Sequence, residues 1–181
     1  MKFAGLDFET ANMRSGSICA VGCAILEDGT LTQKREWLIR PAKGYRWMRP
    51  DFTEIHGLTY WDVCDCPEFP RIWPELQTML LAADLVIIHN APFDLAQLTS
   101  VLQLYDLPGL AFDYADTLAI SRRLFPEMPS HALDAMAEHF GIRFHHHDAM
   151  EDAAACAAIA AKTGVPNDLK RRYNSNKYNH K

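Results

Sequence analysis

The chain has 181 residues, of which 49% are hydrophobic and 23% charged, and its formal net charge is −5. This length suits one domain with a sizeable core, and no apolar run approaches the roughly 20 residues that a membrane-spanning helix needs. Residues 168–181 sum to +4 and the rest to −9, which argues against a broad duplex-binding surface. We therefore expect a cytoplasmic protein that has no membrane partner.

Strands dominate the first part of the chain. Residues 2–9, KFAGLDFE, form an apolar run that ends in acids, and residues 17–41 contain two strand patterns around an Asp-Gly hairpin signal. These three strands predict an antiparallel meander. Residues 49–59 indicate a turn of helix, and residues 67–81 have apolar side chains at helical spacing.

Strands and helices alternate in the rest of the chain. Residues 84–89, DLVIIH, predict a buried strand that ends at Asn90, which can cap a helix running to about residue 105. Residues 111–117 predict a short edge strand. Further helical patterns cover residues 116–125, 131–140 and 149–163. This order predicts an α/β fold, with a mixed sheet that carries helices on its faces.

Two acids stand at the end of the first strand. Asp7 and Glu9 are two residues apart, so they point to the same face, about 6.5–7 Å from each other. Paired acids on an otherwise apolar strand are costly unless cations neutralise them. The alternative is a solvated strand end with no function.

Further acids open two of the predicted helices. Asp94 lies in the first turn after a buried strand, where sites of α/β sheets gather, although a role in the helix dipole is the alternative. Asp148 can cap the last helix, and Glu151 can close a capping box with it. Asp152 is then left free to face a site.

Three histidines precede that last helix, at positions 145–147. His147 immediately precedes the cap and lies over the N-terminal end of the helix. A histidine there can act as a general base that takes a proton from a water molecule. We interpret His145 and His146 as exposed loop residues. A histidine metal cluster is the lesser alternative, because neighbouring side chains on an extended chain diverge.

The acids at positions 7, 9, 94 and 152 fit one type of chemistry if the fold brings them together. Oxygen ligands suit Mg²⁺ and Mn²⁺. Two such ions about 3.5–4 Å apart stabilise both the attacking and the leaving oxygen in phosphodiester hydrolysis. Asp7 is best placed to bridge them.

Three motifs in this order resemble the DEDDh (DnaQ-like) family of 3′–5′ exonucleases, near the polymerase III epsilon and PolC-type exonuclease domains. The motifs are DFET at 7–10, HNAPFD at 89–94 and HDAMEDA at 147–153. The segment IHGLT at 55–59 resembles a further family segment. The register of the third motif selects His147 rather than its neighbours, and the match covers roughly residues 2–163.

The resemblance implies a ribonuclease H-like fold, in which a five-stranded mixed sheet, an antiparallel meander plus parallel strands, is flanked by helices. An exonuclease domain would then cover residues 1–165. Residues 166–181 would form a basic tail, which we expect to be flexible.

The resemblance also implies the site. Two divalent cations, Mg²⁺ or Mn²⁺, would be held, one by Asp7, Glu9 and Asp152, the second by Asp7 with Asp94 through water. The implied catalytic residues are Asp7, Glu9, Asp94, His147 and Asp152. The residues implied to hold the terminal nucleotide are Thr10, His56, Asn90 and Phe93. Phe93 can stack on the last base or be a core aromatic, and His56 can equally be a loop histidine.

The expected substrate is the 3′ end of single-stranded DNA or RNA, with DNA slightly preferred. The alternatives are an RNA-trimming or oligonucleotide-clearing enzyme of the same fold, and a non-catalytic module that binds single strands or a polymerase. A DNA polymerase or its clamp stays open as a protein partner. Trp47, with Arg46 and Arg49, can bind a strand or brace its own loop.

Overall fold

The computed structural model describes residues 1–178, and the side chains of residues 1–176. Its strands are β1 (Lys2–Thr10), β2 (Ile18–Glu27), β3 (Thr30–Leu38), β4 (Leu85–Ile88), β5 (Ala111–Asp116) and β6 (Arg171–Asn174). Its α-helices are α1 (Pro50–His56), α2 (Tyr60–Val63), α3 (Phe69–Leu81), α4 (Ala91–Leu104), α5 (Thr117–Leu124), α6 (Leu133–His139) and α7 (Ala149–Thr163). Short 3₁₀ turns cover Asn167–Leu169 and Ser175–Tyr178.

One mixed sheet has the strand order β3-β2-β1-β4-β5-β6. The first three strands form the predicted antiparallel meander, and β4 and β5 extend it in parallel from β1. The predicted α/β architecture, a mixed sheet flanked by helices, is confirmed.

The sheet has six strands, whereas the expected number was five. Strand β6 pairs antiparallel with β5, so β5 is not the predicted edge strand. Phe112 and Tyr173 pack their rings 4.9 Å apart across this pair, and that apolar contact draws in a segment whose basic composition predicted a flexible tail. Residues 179–181 of that tail lie outside the described residues, and the domain boundary near residue 165 stays a prediction.

The two faces of the sheet carry different helices. Even-numbered residues of β1, such as Leu6 and Phe8, pack with α3 and α4 in the larger core cluster. Odd-numbered residues face α7, and Phe3 joins the smaller cluster under that helix. Asp7 and Glu9 therefore project toward the α7 face. Within the described part of the chain, no helix combines the length and the apolar character that crossing a bilayer requires.

Helix α7 lies directly on the sheet backbone because two positions beneath it lack a side chain. A Cβ at Gly5 would lie 1.9 Å from the carbonyl oxygen of Ala153, and one at Gly22 would lie 1.9 Å from that of Ala149. The side chains that α7 turns inward are small, mainly alanines. This close approach carries Asp152 to the end of β1.

Candidate active site

Three carboxylates converge at the end of β1. Asp7 and Glu9 come from the strand, and Asp152 comes from the first turn of α7. Each contributes an oxygen atom, and these atoms all lie within 4.8 Å of one another. Glu9 and Asp152 therefore belong to one acidic centre although they are 143 positions apart in the sequence.

Burial raises the pKa values of these three acids, and repulsion between carboxylates adds to the rise for Asp7 and Glu9. Asp7 and Glu9 are only partly exposed, and burial, followed by the charge of Asp152, raises the pKa of Asp7 well above its usual range. Burial, followed by the charges of Asp7 and Asp152, raises the pKa of Glu9 to about 9. Burial also raises the pKa of Asp152, although the hydrogen bond from His146 opposes the change. Without a cation, the cluster resists carrying its full negative charge.

Asp94 lies beside this cluster but holds the backbone of β1. Its side chain is 2% exposed, and its Oδ1 accepts the N–H of Phe8 at 3.0 Å. Burial, followed by the charge of Asp7, raises the pKa of Asp94 well above its usual range. Among the described side chains, Asp94 is not in the group whose ligand atoms lie within 4.8 Å of one another. The influence of Asp7 on this pKa indicates that Asp94 lies within electrostatic reach of the acidic centre.

A residue that the sequence analysis missed, Asp116, holds the start of α4. Its carboxylate accepts the N–H groups of Asn90 at 2.9 Å, Ala91 at 3.2 Å and Leu118 at 2.8 Å. Asn90 occupies the predicted cap position, but its own side chain makes no capping hydrogen bond, and its φ of 64° is left-handed. The expected capping role of the Asn90 side chain is therefore wrong, and Asp116 caps both α4 and α5.

The loop before α7 directs two histidines at Asp152. The backbone N–H of His147 donates to Oδ2 of Asp152 at 3.1 Å, and Nδ1 of His146 lies 3.1 Å from Oδ1. The two imidazole rings stack with centroids 3.8 Å apart. His146 is exposed, as expected, but its contact with Asp152 was not anticipated. Burial, followed by the charge of His146, lowers the pKa of His147, which favours a neutral ring.

The predicted cap of α7 is confirmed in part. Oδ1 of Asp148 accepts the N–H groups of Met150 and Glu151, both at 3.1 Å. Glu151 does not close the expected capping box, because its carboxylate pairs with Nζ of Lys34 at 2.5 Å on β3. This pair ties the start of α7 to the sheet next to the acidic centre.

The acidic centre opens into a cleft of about 740 Å³, whose other walls include His89, Asn90, Phe93, Arg122 and His131. A second, smaller pocket of about 160 Å³ adjoins the cleft and shares Glu9 and Phe93 with it. Thr10, Phe52, Ile55 and His56 complete this smaller pocket. Three of the predicted substrate residues thus meet there, while Asn90 lines the cleft.

Phe93 and His56 differ in how freely they can meet a ligand. The side chain of Phe93 is 42% exposed, so it is not a core aromatic. In contrast, Nε2 of His56 lies 3.2 Å from the carbonyl oxygen of Thr10, and its Nδ1 accepts the N–H of Leu58 at 3.0 Å. Both ring nitrogens of His56 are engaged within the protein, so this ring forms the pocket wall.

Hydrogen bonds to the rest of the protein hold the aromatic and basic loop at 44–49 in place. Arg46 donates to the carbonyl oxygen of Pro41 at 3.1 Å and to Glu68 at 2.8 Å. Asn12, which is buried, donates to the carbonyl oxygens of Tyr45 and Trp47. Arg46 is therefore a bracing residue, and the Trp47 side chain, 64% exposed, extends from a fixed backbone.

The donor set of the acidic centre fits divalent cations of the Mg²⁺ and Mn²⁺ type. The three clustered groups offer only carboxylate oxygens, the ligands that these hard cations prefer. Burial and neighbouring carboxylates raise the pKa values of Asp7 and Glu9, and a nearby cation would favour the charged form of both groups.

A family model described as "Exonuclease" matches residues 5–160 of the chain. The chain is also similar to curated DNA polymerases III of the PolC type. It is 28% identical to the protein of Oceanobacillus iheyensis over 163 residues, which are 88% of this chain and 11% of that protein. It is 33% identical to the protein of Streptococcus pneumoniae over 109 residues, which are 59% of this chain and 7% of that protein. The chain thus spans about a tenth of the length of these relatives.

Solved structures share the fold. Exonuclease X in complex with 5′ overhanging duplex DNA superposes with a TM-score of 0.74 at 22% identity, covering 92% of this chain and 96% of that one. The nuclease domain of 3′hExo, a DEDDh family member bound to rAMP, gives a TM-score of 0.71 at 18% identity, covering 95% of this chain and 96% of that one. At these identities the likeness establishes the ribonuclease H-like architecture.

Proposed function

The chain belongs to the exonuclease family, in its DEDDh (DnaQ-like) branch of 3′–5′ exonucleases, and we propose that it removes nucleotides from the 3′ end of single-stranded nucleic acid, with DNA preferred. The observation that carries this proposal is the convergence of Asp7, Glu9 and Asp152 within 4.8 Å. This acidic centre lies where a cleft and a small pocket meet at Glu9.

Asp7, Glu9 and Asp152 would hold one divalent cation, and Asp7 with Asp94 a second. When bound, such ions stabilise the attacking and the leaving oxygen of the phosphodiester. The protein fixes these acids before any ligand arrives, because α7 rests on the backbone at Gly5 and Gly22. Asp94 would contribute from the first turn of α4, where its Oδ1 accepts the N–H of Phe8.

His147 would act as the general base. Its lowered pKa keeps the ring neutral near pH 7, so that it can accept a proton from the attacking water. The hydrogen bond from its backbone N–H to Asp152 fixes the loop next to the acidic centre. His146 stacks against the ring and limits where it can point.

The terminal nucleotide would occupy the small pocket between β1 and α1. A volume of about 160 Å³ suits one base, and the exposed ring of Phe93 can stack on it without regard to sequence. The buried Thr10 and the braced ring of His56 would close the far side. Asn90, on the cleft side, would contact the sugar or phosphate.

The preference for DNA is supported by the relatives named above, which are DNA polymerases. A DNA polymerase or its clamp is accordingly the proposed protein partner. RNA trimming and the clearance of short oligonucleotides use the same chemistry and are outcomes of the test below. The cytoplasmic location expected from the sequence stays a prediction.

A substrate panel tests the proposal. Single-stranded DNA, mismatched duplex, RNA and dinucleotides would be compared by kcat/KM with Mg²⁺ or Mn²⁺ present. We expect single-stranded DNA to give the highest value. A higher kcat/KM on RNA or dinucleotides would replace the DNA preference with one of those substrates. Binding of oligonucleotides with no hydrolysis of any substrate would favour a non-catalytic module instead.

A further inference from the structure

We infer that the side of the cleft built by α5 and the start of α6, through Arg122 and His131, binds backbone phosphates of the strand on the 5′ side of the bond that is cut. This inference rests on the proposed function and adds to it a site for the non-terminal nucleotides. Arg122 and His131 are called the α5–α6 wall below.

The two cavities fix the direction in which a strand can run. Glu9 and Phe93 line both the small pocket and the cleft, whereas Arg122 and His131 line the cleft but not the small pocket. A strand whose last base fills the small pocket must pass Glu9 and the acidic centre. Its next nucleotides then enter the part of the cleft that the α5–α6 wall borders.

Arg122 is a charged group that has no hydrogen-bond or ion-pair partner among the side chains that the structure describes. It is exposed, in the last turn of α5, and none of the ion pairs among the described side chains includes it. Arg122 and His89 line the same cleft; burial is the main cause that lowers the pKa of His89, and the charge of Arg122 adds to it. An unpaired guanidinium bordering an acidic cleft is available for a phosphate, which it can bind through two parallel hydrogen bonds.

His131 is held in a fixed orientation from behind. Its Nδ1 lies 2.6 Å from Oγ of Ser121, and Ser121 is fully buried. Nε2 of the same ring makes no hydrogen bond to any described residue, so it is free for a ligand in the cleft that the ring lines. Ser121 and Arg122 are neighbours on α5, which therefore orients both members of the wall.

Charge explains why a phosphate, rather than a base, is the ligand expected here. The body of the chain is acidic, with a net charge of −9 outside residues 168–181. The positive charge of Arg122 therefore contrasts with the predominantly negative charge of the rest of this body. Contacts to the sugar–phosphate backbone position a strand without reading its sequence. Such a wall suits an enzyme that must accept any sequence.

Two substrates separate this wall from the acidic centre. The p-nitrophenyl ester of thymidine 5′-monophosphate has the terminal nucleotide and the bond to be cut, but no upstream nucleotide. An octamer of thymidylate has both. The test compares kcat/KM on the octamer and on the ester for the parent, Arg122→Gln, Arg122→Lys and Arg123→Gln. Arg123 is the matched control, since it is the adjacent exposed arginine in the same helical turn but does not line the cleft.

We expect R122Q to lower the octamer-to-ester ratio of kcat/KM by about fivefold or more, as loss of a charge-assisted hydrogen bond predicts. R122K keeps the charge but not the two parallel hydrogen bonds, so it should restore only part of the ratio, and R123Q should shift the ratio less than about twofold. R122Q should also reduce the slope of log KM against log salt on the octamer by about 0.7, the value for one lost phosphate contact on a single strand.

Equal losses on both substrates, or equal effects of R122Q and R123Q, would overturn the inference. An R122Q slope identical to that of the parent would do the same. Failure of the proposed function has a different signature: the parent would cut neither the ester nor the octamer with Mg²⁺ or Mn²⁺ present.

Discussion

Asp7 on β1 and Gly22 on β2 are direct partners across the antiparallel pair, and the bare backbone at Gly22 is what admits the start of α7. A Cβ at Gly22 would lie 1.9 Å from the Ala149 carbonyl oxygen, which is backbone and cannot swing aside. The position of α7, the helix that carries Asp152, therefore depends on Gly22, the cross-strand partner of Asp7. Glycine here serves close packing, since no positive φ is involved.

Gly22→Ala should displace α7 and separate Asp152 from Asp7. We expect a loss of about 1–3 kcal/mol in the free energy of unfolding, as for overpacked cores, together with loss of the rise in Tm that Mn²⁺ produces in the parent. The control is Val21→Ala, which opens a cavity on the opposite face at a comparable cost of about 2 kcal/mol. If the two variants kept the same Mn²⁺ response, the seating role of Gly22 would be wrong.

Glu9→Gln should stabilise the metal-free protein in alkaline solution while it abolishes activity. Burial raises the pKa of Glu9 from 4.5 to about 9, so the folded state holds a proton that the unfolded state releases. The stability that this bound proton gives to the folded state is complete below pH 4.5 and is lost as the pH rises through about 9. The Tm of the metal-free parent should therefore fall between pH 7 and 9, and that of E9Q should fall less.

The buried His89 changes the stability in the opposite direction, because burial lowers its pKa to about 4. That change is complete below pH 7, so it does not alter the slope of Tm between pH 7 and 9. The exposed Glu138 provides the control, as Glu138→Gln should leave the slope as it is in the parent. A slope for E9Q as steep as that of the parent would contradict the assigned burial of this carboxylate.

His147→Ala should reduce kcat by about 100-fold or more, the usual contribution of a general base, with little change in the affinity for Mn²⁺. His146→Ala removes a hydrogen bond to Asp152 and the ring contacts with His147 and Phe144, so we expect a loss of about tenfold or less. Steady-state kinetics with saturating metal would distinguish the two. A larger loss for H146A than for H147A would exchange their assigned roles.

Asp116→Ala should destabilise the protein by about 2 kcal/mol or more, since it removes the acceptor of three N–H groups at the starts of α4 and α5. Activity should fall as well, because α4 carries Phe93 and Asp94. Asp113→Ala is the matched control on the same strand. Among the described side chains, that of Asp113 pairs with Arg172 at the surface, so its loss should cost less than about 1 kcal/mol. Urea unfolding would compare them.

The acids at the ends of elements were predictable because their signals are local. Asp7 and Glu9 share a face by strand alternation, and Asp152 follows a cap at Asp148, so neither assignment needed the tertiary structure. The same local reasoning predicted the meander and the helices that follow each inner strand. Family resemblance then selected His147 among three neighbouring histidines.

Contacts between distant segments were not predictable in this way. Asp116 reads as the end of a strand, and only the parallel pairing of β4 with β5 brings it to Asn90. The contact of His146 with Asp152 depends on how the loop turns at His147, whose φ is 68°. Strand β6 is four residues long in a basic segment, and the ring of its Tyr173 packs on Phe112, a residue distant in the sequence.

The most direct test of the metal-dependent acidic centre is a time course on a 5′-labelled single-stranded oligonucleotide, resolved on a denaturing gel, with the parent and Asp7→Asn. With Mg²⁺ or Mn²⁺, the parent should shorten the strand one nucleotide at a time from its 3′ end, and D7N, which removes the central carboxylate, should leave it intact. Equal shortening by both proteins, or shortening that persists in a chelator, would contradict the account.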